Sequence, residues 1–337
     1  MCCLAVLLFA LTGCDSNQNQ PEFVEIQEPK FEVKLPEGFP EIEYPVDNKP
    51  TAERISLGKR LFNDPILSRN YTVACASCHL QNFAFSDTVS LSLGEFGRTG
   101  IRNSPSLQNV AYLPYLFKDG GIPNLELQIK APIEDSNEMN FNMKEAAIRV
   151  SEDSIYQALA QGAYGRKMDA FVLTRSISAF MRTFISGNSR YDQAASGDYS
   201  YSKLEKEGFD LFFGEQGKCS ECHSGFNLTN NSFENNGSKT YYSDTGRARI
   251  TLNHLDHGKF RVPSLRNVSV TAPYFHDGSY ATLKEVLESY GQGGSGHWNQ
   301  NPIISSIELS ESDQIAIIAF LHTLTDESFV NSNNIKE

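Results

Sequence analysis

The sequence predicts a mostly α protein built from two domains of one fold, and three observations carry that expectation. Apolar residues recur at helical spacing in several stretches, whereas the strict alternation that marks half-buried strands is scarce. A block of the first half returns, in order, in the second. Each half also holds one Cys-x-x-Cys-His pentapeptide, Cys75-Ala76-Ser77-Cys78-His79 and Cys219-Ser220-Glu221-Cys222-His223.

Taken along the chain, residues 1–14 read as a signal segment. The apolar run 2–12 is too short to span a bilayer, and Leu11-Thr12-Gly13-Cys14 resembles a bacterial lipoprotein box. That box would place a lipid on the Cys14 thiol and hold the protein on the periplasmic side of a bacterial cell envelope. No Lys or Arg precedes the run, as a signal n-region requires, so the natural start is expected further upstream. Residues 15–50, rich in Pro, Glu, Asn and Gln, read as a flexible tether. A first domain follows over 51–190 and a second over 195–330, with the boundary in the Gly-, Ser- and Asn-rich stretch 186–202. Helices are predicted over 52–62, 143–159, 170–185, 283–290 and 310–324.

The repeat is explicit. Pro105-Ser106-Leu107-Gln108-Asn109-Val110 matches Pro263-Ser264-Leu265-Arg266-Asn267-Val268. Pro114-Tyr115-Leu116-Phe117-Lys118-Asp119-Gly120 matches Pro273-Tyr274-Phe275-His276-Asp277-Gly278 with a one-residue slip at the Pro-Tyr pair, and Gly58, Leu61 and Phe62 recur as Gly208, Leu211 and Phe212. Two thiols three apart can each form a thioether to a haem vinyl group, with the adjacent histidine falling beneath the ring as an axial ligand. Zinc sites place their histidines further off on another element, so the pentapeptides indicate two covalently bound haems c, one per domain. Four of the seven cysteines are thereby used and the other three lie within the first fourteen residues, which leaves none for a disulfide. The net charge of −12 argues against nucleic-acid binding and suits a basic redox partner.

Paired haem c domains with Arg102-Asn103-Ser104-Pro105-Ser106-Leu107 after the first motif, Glu138-Met139 further on, and Pro273-Tyr274-Phe275-His276-Asp277-Gly278-Ser279 after the second resemble bacterial dihaem cytochrome c peroxidases. The resemblance covers about residues 50–327 and implies iron ligation by His79 and His223. In orthodox members the second haem carries a methionine fourteen residues after the His of His-Asp-Gly. Fourteen on from His276 is Tyr290, where MauG-type members have a ligating tyrosine, with His297 as the competing ligand. A phenolate favours Fe(III) and higher states, whereas a thioether favours Fe(II). At the first haem, the position of the orthodox sixth-ligand histidine is Glu95, read as a solvated loop carboxylate, so this haem is expected to be open to peroxide.

The resemblance further implies Glu138 as the carboxylate that shuttles protons during O–O cleavage and Gln128 as the amide that positions peroxide, with Pro132 in the pocket wall. It implies one Ca2+ held by Asn103, Thr271 and Pro273, all oxygen donors. Where the family usually has a tryptophan between the haems this chain has Lys118, which leaves Tyr115 or Phe117 as the nearby aromatic for electron transfer. His276 is placed to bond a haem propionate or to cap its loop. The expected function is reduction of hydrogen peroxide to water with electrons from a small cytochrome c or cupredoxin. Oxidation of a protein substrate's side chain, as in the MauG type, is the alternative, and a non-enzymatic electron carrier is the third reading.

Overall fold

The computed structural model describes residue 31 and residues 33–332; Cys14 and the signal segment lie outside the described residues. The helices that build the body are α1 (Ala52–Asn63), α2 (Met143–Ser151), α3 (Ser154–Tyr164), α4 (Ala170–Met181), α5 (Arg190–Ser196), α6 (Lys203–Phe213), α7 (Leu283–Gly291) and α8 (Glu311–His322). Among the described residues the extended structure with a ladder of its own is one antiparallel pair, Phe233–Glu234 against Phe260–Arg261, with Phe233 opposite Arg261. No helix among the described residues is long and apolar enough to cross a membrane.

Local chemistry explains the helix limits. Thr51 caps α1 by accepting from the Arg54 N–H, and Asp64-Pro65 stops it. Ser202 with Glu205, Thr282 with Glu285 and Ser310 with Asp313 form reciprocal capping boxes at the starts of α6, α7 and α8. The single helix expected over 143–159 is two. Asp153 accepts from the N–H groups of Ile155 and Tyr156, which starts α3 and breaks the run after α2.

Two helix pairs carry the packing. α1 lies against α4, and α6 against α8, each at a glycine. A Cβ on Gly58 would sit 1.8 Å from the Ser176 carbonyl oxygen, and one on Gly208 would sit 1.9 Å from that of Ala316. Phe62 meets Phe180 edge-on at 5.5 Å, and Phe212 meets Phe320 at 5.1 Å. Asn109 and Asn267 both adopt left-handed backbone. The Asn109 Oδ1 accepts from the Ser186 N–H at 2.9 Å and the Asn267 Oδ1 from the Asp326 N–H at 2.7 Å. The repeated residues therefore make the same contacts in both halves.

Among the described residues the apolar interior forms two clusters. One gathers Leu57, Leu61, Phe62, Val150, Ile177 and Phe184, the other Phe212, Leu228, Leu287, Ile317 and Phe320. The C-terminal turn Glu327–Val330 returns to the first cluster through Phe329, whose carbonyl accepts from the Gln81 amide at 3.0 Å.

The stretch 33–50, expected within the flexible tether, is instead packed on the body. Asn48 is fully buried and donates to the Glu126 carboxylate (2.9 Å) and the Arg175 carbonyl (3.0 Å), while the Phe39 ring meets Phe226 at 4.9 Å. One buried amide with directed partners and one aromatic anchor hold a segment whose composition alone reads as linker.

Candidate functional site

The first Cys-x-x-Cys-His motif forms one helical turn, Cys75–Cys78, closed by the His79 N–H bonding the Cys75 carbonyl. The His79 Nδ1 donates to the Phe85 carbonyl at 2.7 Å, which fixes the tautomer and leaves Nε2 with its lone pair. His223 repeats this arrangement more loosely, 3.4 Å from the Leu228 carbonyl, and burial drives its pKa down to about 4. A neutral imidazole is what iron ligation needs. Burial pushes the Cys75 and Cys219 thiols up to about 12.

Around the second motif lies a cavity of about 310 Å3 with Cys219, Cys222, His223 and Tyr290 on its walls. Tyr290 comes from the last turn of α7, and its hydroxyl accepts from the Asn236 amide at 3.4 Å. Burial holds the phenol proton on, with a pKa near 12, so a phenolate here requires a cation such as ferric iron to displace that proton. The competing His297 does not line this cavity. Its Nδ1 is 3.0 Å from the Asn235 amide and accepts from the Asn299 N–H at 3.1 Å, which commits it to its own loop.

The cavity wall is cationic at one place. Lys118 and Arg261 both line it. The Arg261 Nε is buried with no hydrogen-bond partner among the described residues, and burial lowers this guanidinium to about 10. Lys118 donates to the Phe275 carbonyl at 3.3 Å, and burial together with the Arg261 and Arg102 charges brings it down to about 7. Two desolvated cations facing an apolar cavity want an anion. A haem carries two propionates, so the donor set, the thiols, the neutral histidine and the cations all fit a haem c. Tyr115 and Phe117 do not line the cavity. His276 does, buried and stacked on Phe260 at 4.1 Å, with burial holding it near 4 and hence neutral. Asn103, Thr271 and Pro273 reach the wall of the same cavity, and the Asn103 amide donates to the Val89 carbonyl at 3.1 Å.

Near the first motif the structure brings together what the sequence separates. Cys75, Ile129 and Met139 share the first hydrophobic cluster, so the neighbours of Gln128 and Glu138 are packed with the Cys75–Cys78 turn. Gln128 ends the turn Leu125–Gln128, and its Oε1 is buried without a hydrogen-bond partner among the described residues. Glu138 is an exposed residue with its carboxyl close to surrounding protein. Burial, and behind it the Asp135 charge, raises it to about 7. Its charge reaches both the Cys75 and Cys78 thiols and raises each of them.

The backbone of Glu138 is clamped from a loop whose role the sequence did not reveal. The Glu95 N–H donates to the Glu138 carbonyl at 2.7 Å, and the Arg69 N–H to that of Met139 at 3.0 Å. A Cβ on Gly94 would lie 2.1 Å from the Asn137 carbonyl oxygen, so only glycine permits this approach. Glu95 itself is not a solvated carboxylate. It is buried, and its Oε1 accepts from the Asn70 N–H at 2.9 Å. Burial alone would raise the Glu95 carboxyl, but bonds from Asn70, Ser68 and Thr72 hold it below the usual range. It ties the 94–97 loop to residues 68–72 and through it holds Glu138 in place. The only sequence signal was an acid flanked by glycines, which does not name a partner twenty-five residues back.

Residues 52–200 match the family model described as di-haem cytochrome c peroxidase. The methylamine utilization protein MauG of Methylorubrum extorquens is 34% identical over 304 residues, spanning 88% of this chain and 84% of that protein. The cytochrome c551 peroxidase of Nitrosomonas europaea is 31% identical over 282 residues, covering 82% and 81%. Among solved structures, a MauG-like protein associated with microbial copper homeostasis superposes with a TM-score of 0.86 at 33% identity, covering 90% of this chain and 98% of that one.

Proposed function

This chain belongs to the di-haem cytochrome c peroxidase family, whose members are oxidoreductases that carry two c-type haems, and from that premise we propose that it reduces hydrogen peroxide to water with electrons from a small redox protein. The observation that carries this reading is Glu138, whose backbone is clamped by the Glu95 N–H and whose carboxyl is raised to about 7 beside the Cys75–Cys78 turn. Cys75, Cys78 and His79 would hold one haem and Cys219, Cys222, His223 and Tyr290 the other. When bound, the irons supply the redox chemistry. The protein supplies position and protons. The orphaned Gln128 Oε1 accepts a hydrogen bond from peroxide, and the Glu138 carboxylate takes the proton of the near oxygen and returns it to the departing one. Lys118 and Arg261 would neutralise propionate at the second site.

The recurrence of the helix crossings, phenylalanine pairs and left-handed asparagines supports internal duplication, with one haem c domain over 51–190 and one over 195–330. A Ca2+ on Asn103, Thr271 and Pro273 and a lipid on Cys14 at the periplasmic side of a cell envelope complete the reading. Tyr290 on the cavity wall favours a second reading, MauG-type oxidation of a protein side chain, because a phenolate ligand stabilises higher oxidation states. Turnover of hydrogen peroxide by the haem-loaded protein, with reduced small cytochromes and cupredoxins as donors, tests the first reading. Steady donor oxidation is expected, and peroxide consumption that oxidises no donor would shift the assignment to the second.

A further inference from the structure

A file of rings joins the second cavity to the protein surface. Phe260 and His276 line the cavity, and the buried Tyr242 ring stands 5.7 Å from His276. Tyr242 is 5.2 Å from His297, and His297 is 5.4 Å from Trp298. Trp298 is 56% exposed and carries the His254 ring stacked on it at 4.5 Å. Leu252, 89% exposed, and Leu255 belong to the segment beside it, which the Asn299 amide ties down by donating to the Leu255 and His257 carbonyls, both at 2.9 Å. An oxidisable indole thus stands in an exposed apolar face at the outer end of the file.

We propose that Trp298 is the electron-entry residue, taking electrons from a small reducing redox protein seated on the Leu252, Leu255 and Trp298 face and passing them inward through His297, Tyr242 and His276. This rests on the peroxide-reducing reading, although electrons also move inward when a protein side chain is the one oxidised. In each cycle the indole gives one electron inward and its N–H proton to water. The reduced partner returns one electron and water returns the proton. Two cycles deliver the two electrons that, with two protons, convert one hydrogen peroxide to two waters.

The inner rings are a conducting path and not resting places. The Tyr242 hydroxyl donates to the Asn235 Oδ1 at 2.9 Å and lies 3.1 Å from the Ser238 Oγ. Neither is a base, so oxidised Tyr242 would be an uncompensated buried cation. Trp298 alone in the file faces water that can take its proton. The same two bonds to the His297 Nδ1 that keep this ring from the cavity hold it rigidly between Tyr242 and Trp298.

Trp298 is the chain's one tryptophan, so ring-deuterated tryptophan incorporated during expression marks it alone. Peroxide added to the haem-loaded protein without donor should give an organic radical whose paramagnetic resonance spectrum narrows on deuteration and is lost in Trp298→Phe. The same variant should accept electrons from a reduced small cytochrome c roughly tenfold more slowly, with unchanged haem absorption and thermal midpoint. A radical indifferent to both changes, or equal reduction rates, overturns the proposal. Haems that do not respond to peroxide refute the peroxide-reducing reading instead. The cytochrome experiment uses no peroxide and then decides the inference alone.

Discussion

Glu138 has the one property a proton shuttle needs at neutral pH, a pKa close to it. Burial and the Asp135 charge disfavour its ionised form, so the carboxylate fraction grows as pH rises through about 7. Because the carboxylate is the form that takes a proton from peroxide, the rate of the reaction with peroxide should climb through that pH. Glu138→Gln should flatten the profile and slow the step by about 10²-fold or more, measured by stopped-flow absorption. Tyr290 sets the other site. Its replacement by methionine exchanges a phenolate for a thioether, and a redox titration should find the second haem's potential raised. An unchanged potential would remove Tyr290 from the iron. At this scale the sequence was informative where chemistry is local. The two pentapeptides and the count from His276 to Tyr290 needed no tertiary contact. Glu95 was not legible, because its burial depends on Asn70, Ser68 and Thr72, which only the fold brings to it.

The helices are where periodicity and capping served best, and where close approach fixes residue choice. α1 meets α4 at Gly58 and α6 meets α8 at Gly208, each with a partner carbonyl inside 2 Å of a built Cβ. Backbone cannot yield as a flexible side chain can. Gly58→Ala and Gly208→Ala should each cost about 1–3 kcal/mol or more, read as a lower thermal midpoint of the haem-loaded protein. Equal losses at the two positions would support two halves of one fold. Both glycines were visible as repeat positions, but the contact that makes glycine obligatory was not. The break between α2 and α3 was missed because the apolar periodicity runs on through it, while the Asp153 cap acts on backbone N–H groups.

Across the whole molecule, long-range polar contacts decide what composition could not. Asp119, from the motif that carries Lys118, has a fully buried side chain bonded to Arg102 at 2.7 Å and Arg249 at 2.5 Å, and Arg102 in turn grips Asp244 at 2.6 Å. Burial would raise the Asp119 carboxyl, but the two guanidiniums overturn that and hold it below the usual range. Its stabilisation is therefore fully present above the unfolded carboxylate pKa of about 3.9 and is lost as pH falls through the lower folded value. Asp119→Asn should destabilise by about 1–3 kcal/mol at neutral pH, since it removes a buried carboxylate from two guanidiniums, of which Arg102 keeps Asp244 and Arg249 is largely exposed, and a denaturant titration checks it. The 33–50 segment belongs to the same lesson, its place set by Asn48 and Phe39 reaching residues far along the chain. The central claim is that two copies of one Cys-x-x-Cys-His motif serve unequal sites, an open one beside Glu138 and Gln128 and a closed one facing Tyr290. Electron paramagnetic resonance of the oxidised, haem-loaded protein tests it most directly: the account predicts one high-spin and one low-spin ferric haem, and two low-spin signals would contradict it.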